Sequence, residues 1–273
     1  MSDLRGRAFR PSGLDNSNSN RMVRPLTNEK NRYSVISKDV KREVDAGDGC
    51  CRADDAAPLH HVDVPFEKAT FGMGCYWGTD SLFGATLGVL RTRVGYSGGT
   101  TGAPKGKDIG DNVEVIEIHY DPTKITYSKL LEMFWENHEY RASARLKREY
   151  MTMIQYHSED QRKLAEDSKA AQQANEPEEV VATEIVPASP LYPAADHNQK
   201  YRLQGHVDLA KGLGLTSELL QSSHVAARLN GYLVGAGGLE QFEAEANQLG
   251  LSDAQKQYVR NYLIENDGAG IAC

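Results

Sequence analysis

A single cysteine, Cys75, lies between glycines and two aromatic residues in residues 71–78, FGMGCYWG. The residues before it, from Lys68 to Met73, alternate weakly as a short strand does, and those after it follow helical spacing. Cys75 is therefore predicted in the first turn of a helix, where unpaired N–H groups and the helix dipole lower a thiol pKa below ~8.5. This predicts a nucleophilic thiolate. The alternative for a lone cysteine is a buried structural residue.

A carboxyl group in a later strand is the second chemical candidate. Residues 113–120 alternate so that Glu114 shares one face with Ile116 and Ile118. A carboxyl group at the end of an apolar face loses hydration, which raises its pKa and suits it to act as a general acid. The alternative is an edge carboxylate that turns out to water. Glu117 falls on the other, mixed face and is predicted to be solvated.

Four blocks of the chain, in order, resemble the peptide methionine sulfoxide reductases of the A type. They are residues 71–78, residues 94–99 (VGYSGG), residues 112–122 (NVEVIEIHYDP) and residues 130–138 (LLEMFWENH). The similarity runs from about Phe66 to Tyr201. It implies a ferredoxin-like core and thiol-dependent reduction of L-methionine (S)-S-oxide in proteins, with release of methionine and a sulfenic acid on the cysteine.

The resemblance also implies roles for individual side chains. Cys75 attacks the sulfoxide sulfur and Glu114 delivers a proton to the departing oxygen. The other roles fall to aromatic residues: the hydroxyls of Tyr96 and Tyr150 assist at the oxygen, and Tyr76 and Trp77 hold the methyl group against an apolar wall.

The loop at residues 141–152 departs from the family pattern. Arg145 stands where an aspartate is expected, Glu149 replaces a glutamine and Met151 replaces an arginine. The added basic side chains are expected near the mouth of the site. They would lower the thiol pKa or attract acidic substrates, or else form a solvated face. A later run, residues 196–201, resembles another family block imperfectly. Its Tyr201 matches the family pattern, but a packing role in a helix is an open alternative to a role in the site.

A second thiol is needed if a sulfenic acid is to be resolved. Leu233 stands where many family members carry a resolving cysteine, so Cys273, the last residue, is predicted to take that role. Cys50 and Cys51 are the alternative, as is a terminal cysteine with no role. The resemblance implies thioredoxin or another dithiol as the external reductant. No bound cofactor is expected, and the cysteines lack the spacing of a zinc site.

The order of predicted elements gives an α/β (α+β sandwich) class with a helical C-terminal extension. The family resemblance implies that the core is a ferredoxin-like mixed sheet flanked by helices. Three segments are predicted: residues 1–61 as a disordered extension, 62–212 as the catalytic domain and 213–273 as a helical extension with a cysteine-bearing tail. The extension should contain helices at residues 239–249 and 252–265.

Composition excludes several function classes. A net charge of -7 gives no case for nucleic acid as a partner, and no apolar run of about 18 residues suggests a membrane span. The cysteine pattern does not suggest a secreted disulfide framework, so a cytoplasmic monomer is expected, with mitochondrial targeting as the alternative. Its partners would be oxidised proteins or peptides and thioredoxin.

Two other functions are compatible with the sequence. One is a catalytically weakened family member that binds methionine-containing peptides without turnover, because of the altered loop and the leucine at position 233. The other is a redox sensor or thiol peroxidase in which Cys75 reacts directly with peroxide. The aromatic pair beside Cys75 favours an organic substrate over peroxide.

Overall fold

The computed structural model describes residues 57–106 and 108–266. Within them one sheet is made of β1 (Glu67–Met73), β2 (Val89–Ser97), β3 (Val113–Tyr120), β4 (Thr152–Tyr156), β5 (Glu184–Pro187) and β6 (Tyr192–Pro193). The α-helices are α1 (Tyr76–Gly84), α2 (Tyr127–Glu136), α3 (Glu159–Asn175), α4 (Tyr201–Gln204), α5 (Val207–Gly212), α6 (Ser217–Ser222), α7 (His224–Tyr232), α8 (Gly238–Glu245) and α9 (Asp253–Glu265). The predictions for Cys50, Cys51, Cys273 and most of the N-terminal extension lie outside the described residues.

The strands lie in the order β5-β4-β1-β3-β2-β6. All neighbours are antiparallel except β4 and β5, which are parallel. The first elements run β1-α1-β2-β3-α2-β4, and their strands occupy the order β4-β1-β3-β2. This is the ferredoxin-like arrangement, so the predicted fold class is confirmed.

One face of the sheet carries the main core. Phe71 and Ile116 from the sheet pack with Phe83 of α1, Phe134 of α2 and Ala165 of α3, all fully buried. The buried stripe of α2 follows from the helical spacing of its apolar residues. The cap of α2 is Thr126, whose side chain accepts a hydrogen bond from the backbone N–H of Lys129 at 3.2 Å.

The opposite face of β3 is polar towards one end, and here the prediction for Glu117 is wrong. Glu117 is only 5% exposed. Arg93 Nε lies 2.9 Å, His119 Nε2 2.8 Å and Lys68 Nζ 3.6 Å from its carboxylate. Because β3 lies between β1 and β2, its neighbours provide cations directly beside Glu117, and ion pairing takes the place of hydration.

Helices α4, α5, α7, α8 and α9 share a second apolar core, in which Leu229 and Val259 are fully buried. The predicted helix at 252–265 agrees with α9, whereas the helix predicted at 239–249 ends earlier, at Glu245. Helices α4 to α7 are not predicted by the sequence analysis. They are four to nine residues long, too short for apolar periodicity to identify them.

The two cores meet where α7 packs against α1. A Cβ atom on Gly84 would lie 2.3 Å from the carbonyl oxygen of Ala227, so the two helices approach as closely as glycine allows. Residues just before the sheet join the same region: Leu59 N–H bonds to Leu249 O, and Val225 N–H to Leu59 O, at 3.0 Å each. Leu59 lies within the extension predicted to be disordered, yet these bonds hold it in place.

Candidate active site

Cys75 lies at the start of α1, immediately after the turn that follows β1. Gly74 makes this turn with a φ of +78°, a left-handed conformation that glycine adopts without strain. Cys75 is the N-cap residue, with extended backbone (φ -61°, ψ 119°), and its side chain is half-buried. The structure therefore places the thiol within one residue of the predicted position. The positive end of a helix favours negative charge there.

Glu114, on β3, reaches the same helix start. Its Oε2 accepts a hydrogen bond of 3.1 Å from the backbone N–H of Tyr76, the residue after Cys75. Its strand face is apolar as predicted, since Ile116 and Ile118 are fully buried. A half-buried carboxyl group thus lies beside the thiol, held by one of the free N–H groups of the helix.

The predicted tyrosine hydroxyls converge on this carboxyl group. Tyr96 lies directly across the β2–β3 ladder from Glu114, and its hydroxyl is 3.0 Å from that of Tyr76. The negative charge of Glu114, followed by burial, raises the pKa of Tyr150, and the nearby charges of Cys75 and Tyr96 act in the same direction. Tyr150 therefore keeps its proton at neutral pH and remains a hydrogen-bond donor.

Tyr76, which was predicted to hold the substrate's methyl group together with Trp77, is 4% exposed and belongs to the main core. Burial, with the hydrogen bond to Tyr96, raises its pKa well above the ordinary value. Its hydroxyl therefore positions that of Tyr96, and Trp77 is left as the accessible aromatic surface of the predicted pair.

Two residues that the sequence analysis did not assign to the site hold Trp77. The Tyr201 ring stacks on the Trp77 ring at 4.0 Å between centroids and 8° between planes. The indole Nε1–H donates to Asn198 Oδ1 at 3.3 Å. Tyr201 is 40% exposed, so it extends the aromatic wall instead of filling the core. The signal for both residues was the imperfect family block at residues 196–201.

The segment that carries these residues is fixed by a buried charge pair. Lys200 is fully buried, and its Nζ lies 3.2 Å from Asp80 of α1 and 2.7 Å from the carbonyl oxygen of Thr92. Next to it, Gln199 bonds to both backbone groups of Val94 on β2. The wall opposite α1 is thereby tied to both α1 and β2.

Three of the four basic side chains in the loop at residues 141–152 lie beside carboxylates. Arg148 donates to Glu184 at 2.9 Å, Arg141 bonds Glu176 at 2.6 Å, and Lys147 lies 3.8 Å from Glu149. The predicted positive patch at the mouth is thus largely neutralised by carboxylates. Arg145 takes a left-handed backbone, with φ 50°.

A cavity of about 250 Å³ reaches Cys75 from the side of α2. It is lined by Met73, Cys75, Gly78, Thr79, Leu82, Asn137, His138 and Glu139. Burial lowers the pKa of His138 to about 4, against the hydrogen bond to Phe134 O. His138 is therefore neutral near pH 7, and its Nε2 accepts from Thr152 Oγ1 at 2.7 Å. The sequence analysis did not identify this side of the site.

Two negative observations apply only to the part of the chain described by the structure. No cluster of three or more histidine, cysteine or acidic side chains is placed there to hold a metal ion. No helix in residues 57–106 and 108–266 is long and apolar enough to span a bilayer.

Comparison with known proteins gives one family. Residues 67–216 match the family model for peptide methionine sulfoxide reductase, and residues 214–265 match that for the helical domain of selenoprotein methionine sulfoxide reductase A. A peptide methionine sulfoxide reductase of Drosophila melanogaster is 50% identical over 217 residues, which cover 80% of this chain and 88% of that protein. Peptide methionine sulfoxide reductase A5 of Arabidopsis thaliana is 34% identical over 62% of this chain and 69% of its own length.

Two solved structures are similar to about half of this chain. Methionine sulfoxide reductase A of Corynebacterium diphtheriae aligns with a TM-score of 0.47 and 29% identity, over 55% of this chain and 82% of that one. An oxidised form of Mxr1 from Saccharomyces cerevisiae aligns with a TM-score of 0.42 and 25% identity, over 52% and 83%. From the family model and the Drosophila relative, the chain belongs to the peptide methionine sulfoxide reductase family.

Proposed function

We propose that this protein reduces methionine (S)-sulfoxide in oxidised proteins and peptides to methionine. One observation carries the proposal: Cys75 caps the N-terminus of α1, and the Glu114 carboxyl group bonds the next backbone N–H. A nucleophile and a proton donor are thereby held side by side at the positive end of a helix. The preference for the S epimer rests on the family resemblance.

In the first step the Cys75 thiolate attacks the sulfoxide sulfur while Glu114 delivers a proton to the oxygen. The attack forms a sulfur–sulfur bond. The sulfur–oxygen bond then breaks, the oxygen passes to the cysteine as a hydroxyl group, and the sulfur–sulfur bond breaks as methionine leaves as the sulfide. The substrate sulfur gains two electrons and Cys75 loses two, which leaves a sulfenic acid.

The surrounding side chains support this step. The hydroxyls of Tyr96 and Tyr150 can donate to the sulfoxide oxygen as negative charge builds on it, since Tyr96 lies across the ladder from Glu114 and the charge of Glu114 acts on Tyr150. The stacked rings of Trp77 and Tyr201 offer an apolar surface to the methyl group of the substrate.

The sulfenic acid is then resolved by Cys273, which lies outside the described residues. Its thiol attacks the Cys75 sulfur, water leaves, and a disulfide forms. A dithiol such as thioredoxin restores both thiols by disulfide exchange. The sequence supports this assignment, because Leu233 stands where many family members carry a resolving cysteine.

Single-turnover assays with fully reduced protein test this proposal. We expect about one methionine per chain from the S form of methionine sulfoxide, none from the R form, and a Cys75–Cys273 linkage on mass mapping. Cys75→Ser should release no methionine. Cys273→Ser should release the first methionine without forming the linkage. A folded protein that binds the sulfoxide but releases no methionine would favour the binding protein without turnover.

A further inference from the structure

A cavity of about 510 Å³ lies on the polar face of the sheet, away from Cys75. It is lined by Lys68, Arg91, Thr92, Arg93, Glu117, His119 and, from α6, Glu218, Gln221 and Ser222. Glu117 and Glu114 are an odd number of residues apart on β3, so their side chains project from opposite faces. The cavity is therefore separate from the reductase site, and none of its side chains has a part in the proposed reduction.

Arg91 is held in one orientation with donors left over. Its guanidinium lies 4.6 Å from the centroid of the Phe66 ring, which itself stacks on His119 at 4.6 Å and 9°. Its Nε–H donates to His119 Nδ1 at 2.7 Å. Among the described residues, its two terminal nitrogens have no hydrogen-bond partner and Arg91 forms no ion pair with a carboxylate. A fixed, planar guanidinium with open donors is suited to binding an oxyanion.

His119 connects Arg91 to Glu117 through two hydrogen bonds. Since Arg91 Nε can only donate, His119 Nδ1 accepts, and the ring proton lies on Nε2, which donates to Glu117 at 2.8 Å. Burial lowers the pKa of His119, against the hydrogen bond and charge of Glu117. The ring is therefore neutral near pH 7 and does not cancel the charge of either neighbour.

Arg93 repeats the arrangement on the same strand. Its Nε donates to Glu117 at 2.9 Å, and the structure gives no partner to its terminal nitrogens within residues 57–106 and 108–266. Burial by itself would raise the pKa of Glu117, but the hydrogen bonds from His119 and Arg93 outweigh it and lower the pKa to about 2. Glu117 is therefore ionised near pH 7, and its carboxylate orients Arg93.

The cavity carries an excess of positive charge. Its lining holds three cations, Lys68, Arg91 and Arg93, against two carboxylates, Glu117 and Glu218. Glu117 is already engaged by Lys68, Arg93 and His119. Glu218 is exposed on α6, and its side chain can turn away into solvent. This excess occurs in a chain whose net charge is -7.

We propose that this cavity is a binding site for a small phosphate-class anion, such as phosphate or pyrophosphate, held between the open guanidinium donors of Arg91 and Arg93 with Lys68 beside them. Paired guanidinium groups match the oxygen spacing of a phosphoryl group. Gln221 and Ser222 of α6 also line the cavity, where the Ser222 hydroxyl donates to the backbone carbonyl oxygen of Glu218 at 2.8 Å. The volume leaves room for more than a single phosphoryl group.

Calorimetric titration of the full chain with pyrophosphate, at constant ionic strength, tests the site. We expect saturable binding with one site per chain. Arg91→Gln should weaken it by about tenfold or more, because it removes a charge and a bidentate donor set. The affinity of Arg91→Lys should lie between those of the unmodified protein and Arg91→Gln. Glu218→Gln should tighten binding by roughly 2- to 5-fold, because it removes the free carboxylate of the lining.

The matched control is Arg162→Gln, which removes an exposed arginine of α3 that lies outside the lining. It should change the affinity by less than about twofold. Retained Cys75-dependent turnover will show that the Arg91 variants fold. No saturable binding, equal losses in the Arg91 and Arg162 variants, or tighter binding of the dicarboxylate malonate than of pyrophosphate would each overturn the proposal.

Discussion

At the residue scale, Glu114 combines two tasks in one carboxyl group. Its Oε2 accepts from the Tyr76 N–H, which fixes the side chain against the start of α1. The same carboxyl group is the proposed proton donor to a substrate oxygen placed over Cys75. A glutamine at this position would preserve the accepting oxygen while removing the proton that a general acid must supply.

Glu114→Gln separates these tasks. We expect its single-turnover rate with (S)-methionine sulfoxide to fall by about 10²- to 10⁴-fold, the usual contribution of a general acid. The pH dependence of that step should flatten, since its proton donor is gone. Quenched single-turnover assays over a range of pH measure both the rate and its pH dependence.

The matched control is Glu132→Gln, which alters an exposed carboxylate of α2 paired with Lys129. It should leave the rate and its pH profile unchanged. A Glu114 variant with the profile of the unmodified protein would remove Glu114 from the acid role.

At the element scale, residues 196–201 form a strap that builds half of the aromatic wall. Tyr201 stacks on Trp77, and Asn198 accepts from its indole nitrogen. The buried pair of Lys200 and Asp80 anchors the strap to α1. The wall is therefore rigid because two separate elements share one ion pair.

Tyr201→Ala should weaken substrate binding. A stacked aromatic pair contributes about 0.5–1.5 kcal/mol beyond area burial, so KM for the sulfoxide should rise by roughly 2- to 12-fold. The rate of the chemical step should change little, because Cys75 and Glu114 are untouched. Steady-state kinetics separate the two constants.

Tyr201→Phe provides the control, because it keeps the ring and removes only the hydroxyl. Its KM should stay close to that of the unmodified protein. If both variants raise KM equally, the hydroxyl and not the stack is responsible.

A second element-scale feature joins the two cores. Arg228 of α7 is 1% exposed and donates to the carbonyl oxygens of Gly84 and Thr86, beyond the last turn of α1. It also pairs with Glu245 at 2.8 Å. A cation at the C-terminal end of α1 satisfies carbonyl groups that the helix leaves unpaired.

Arg228→Leu should lower the free energy of unfolding by about 3–5 kcal/mol. It leaves the largely buried carboxylate of Glu245 without its cation and two carbonyl groups without this donor. Urea denaturation measures this. Arg260→Leu, on α9, breaks a more exposed pair with Glu243 of α8. It should lower the free energy of unfolding by no more than about 1 kcal/mol. Similar losses in both variants would contradict the buried role of Arg228.

At the scale of the whole molecule, histidines that lose hydration on folding couple stability to pH. In six of them burial is the largest influence and lowers the pKa: His60, His119, His138, His157, His206 and His224. The folded state therefore binds fewer protons than the unfolded state below pH 6.5. Stability from these groups is present above pH 6.5 and is lost as pH falls through their folded pKa values.

Unfolding free energies from urea titrations should accordingly decline from pH 7 towards pH 4. His138, with a folded pKa of about 4 against 6.5, should account for about 3 kcal/mol of this loss. In His138→Gln the decline should be shallower by about that amount. The exposed His197→Gln should follow the unmodified protein. An unchanged slope for His138→Gln would contradict its neutral, buried state.

The sequence by itself determined the local features of this protein. The placement of Cys75 at a helix start, the apolar face around Glu114 and the capped, striped helix α2 all depend on neighbours a few residues apart. Backbone sterics and the periods of helix and strand control such features, so spacing along the chain is enough to predict them. The order of these elements also predicted the α/β class, and the family resemblance implied the ferredoxin-like sheet.

Only the tertiary structure decided which distant side chains meet. Asn198 lies 121 residues from Trp77, which it bonds, and Glu117 is buried because neighbouring strands bring cations to it. Arg148 is likewise engaged by Glu184 from another strand, so it adds no free charge at the mouth of the site. Whether a polar side chain is solvated or paired depends on contacts across the sheet and between helices, and residue spacing along one chain segment carries no record of those contacts.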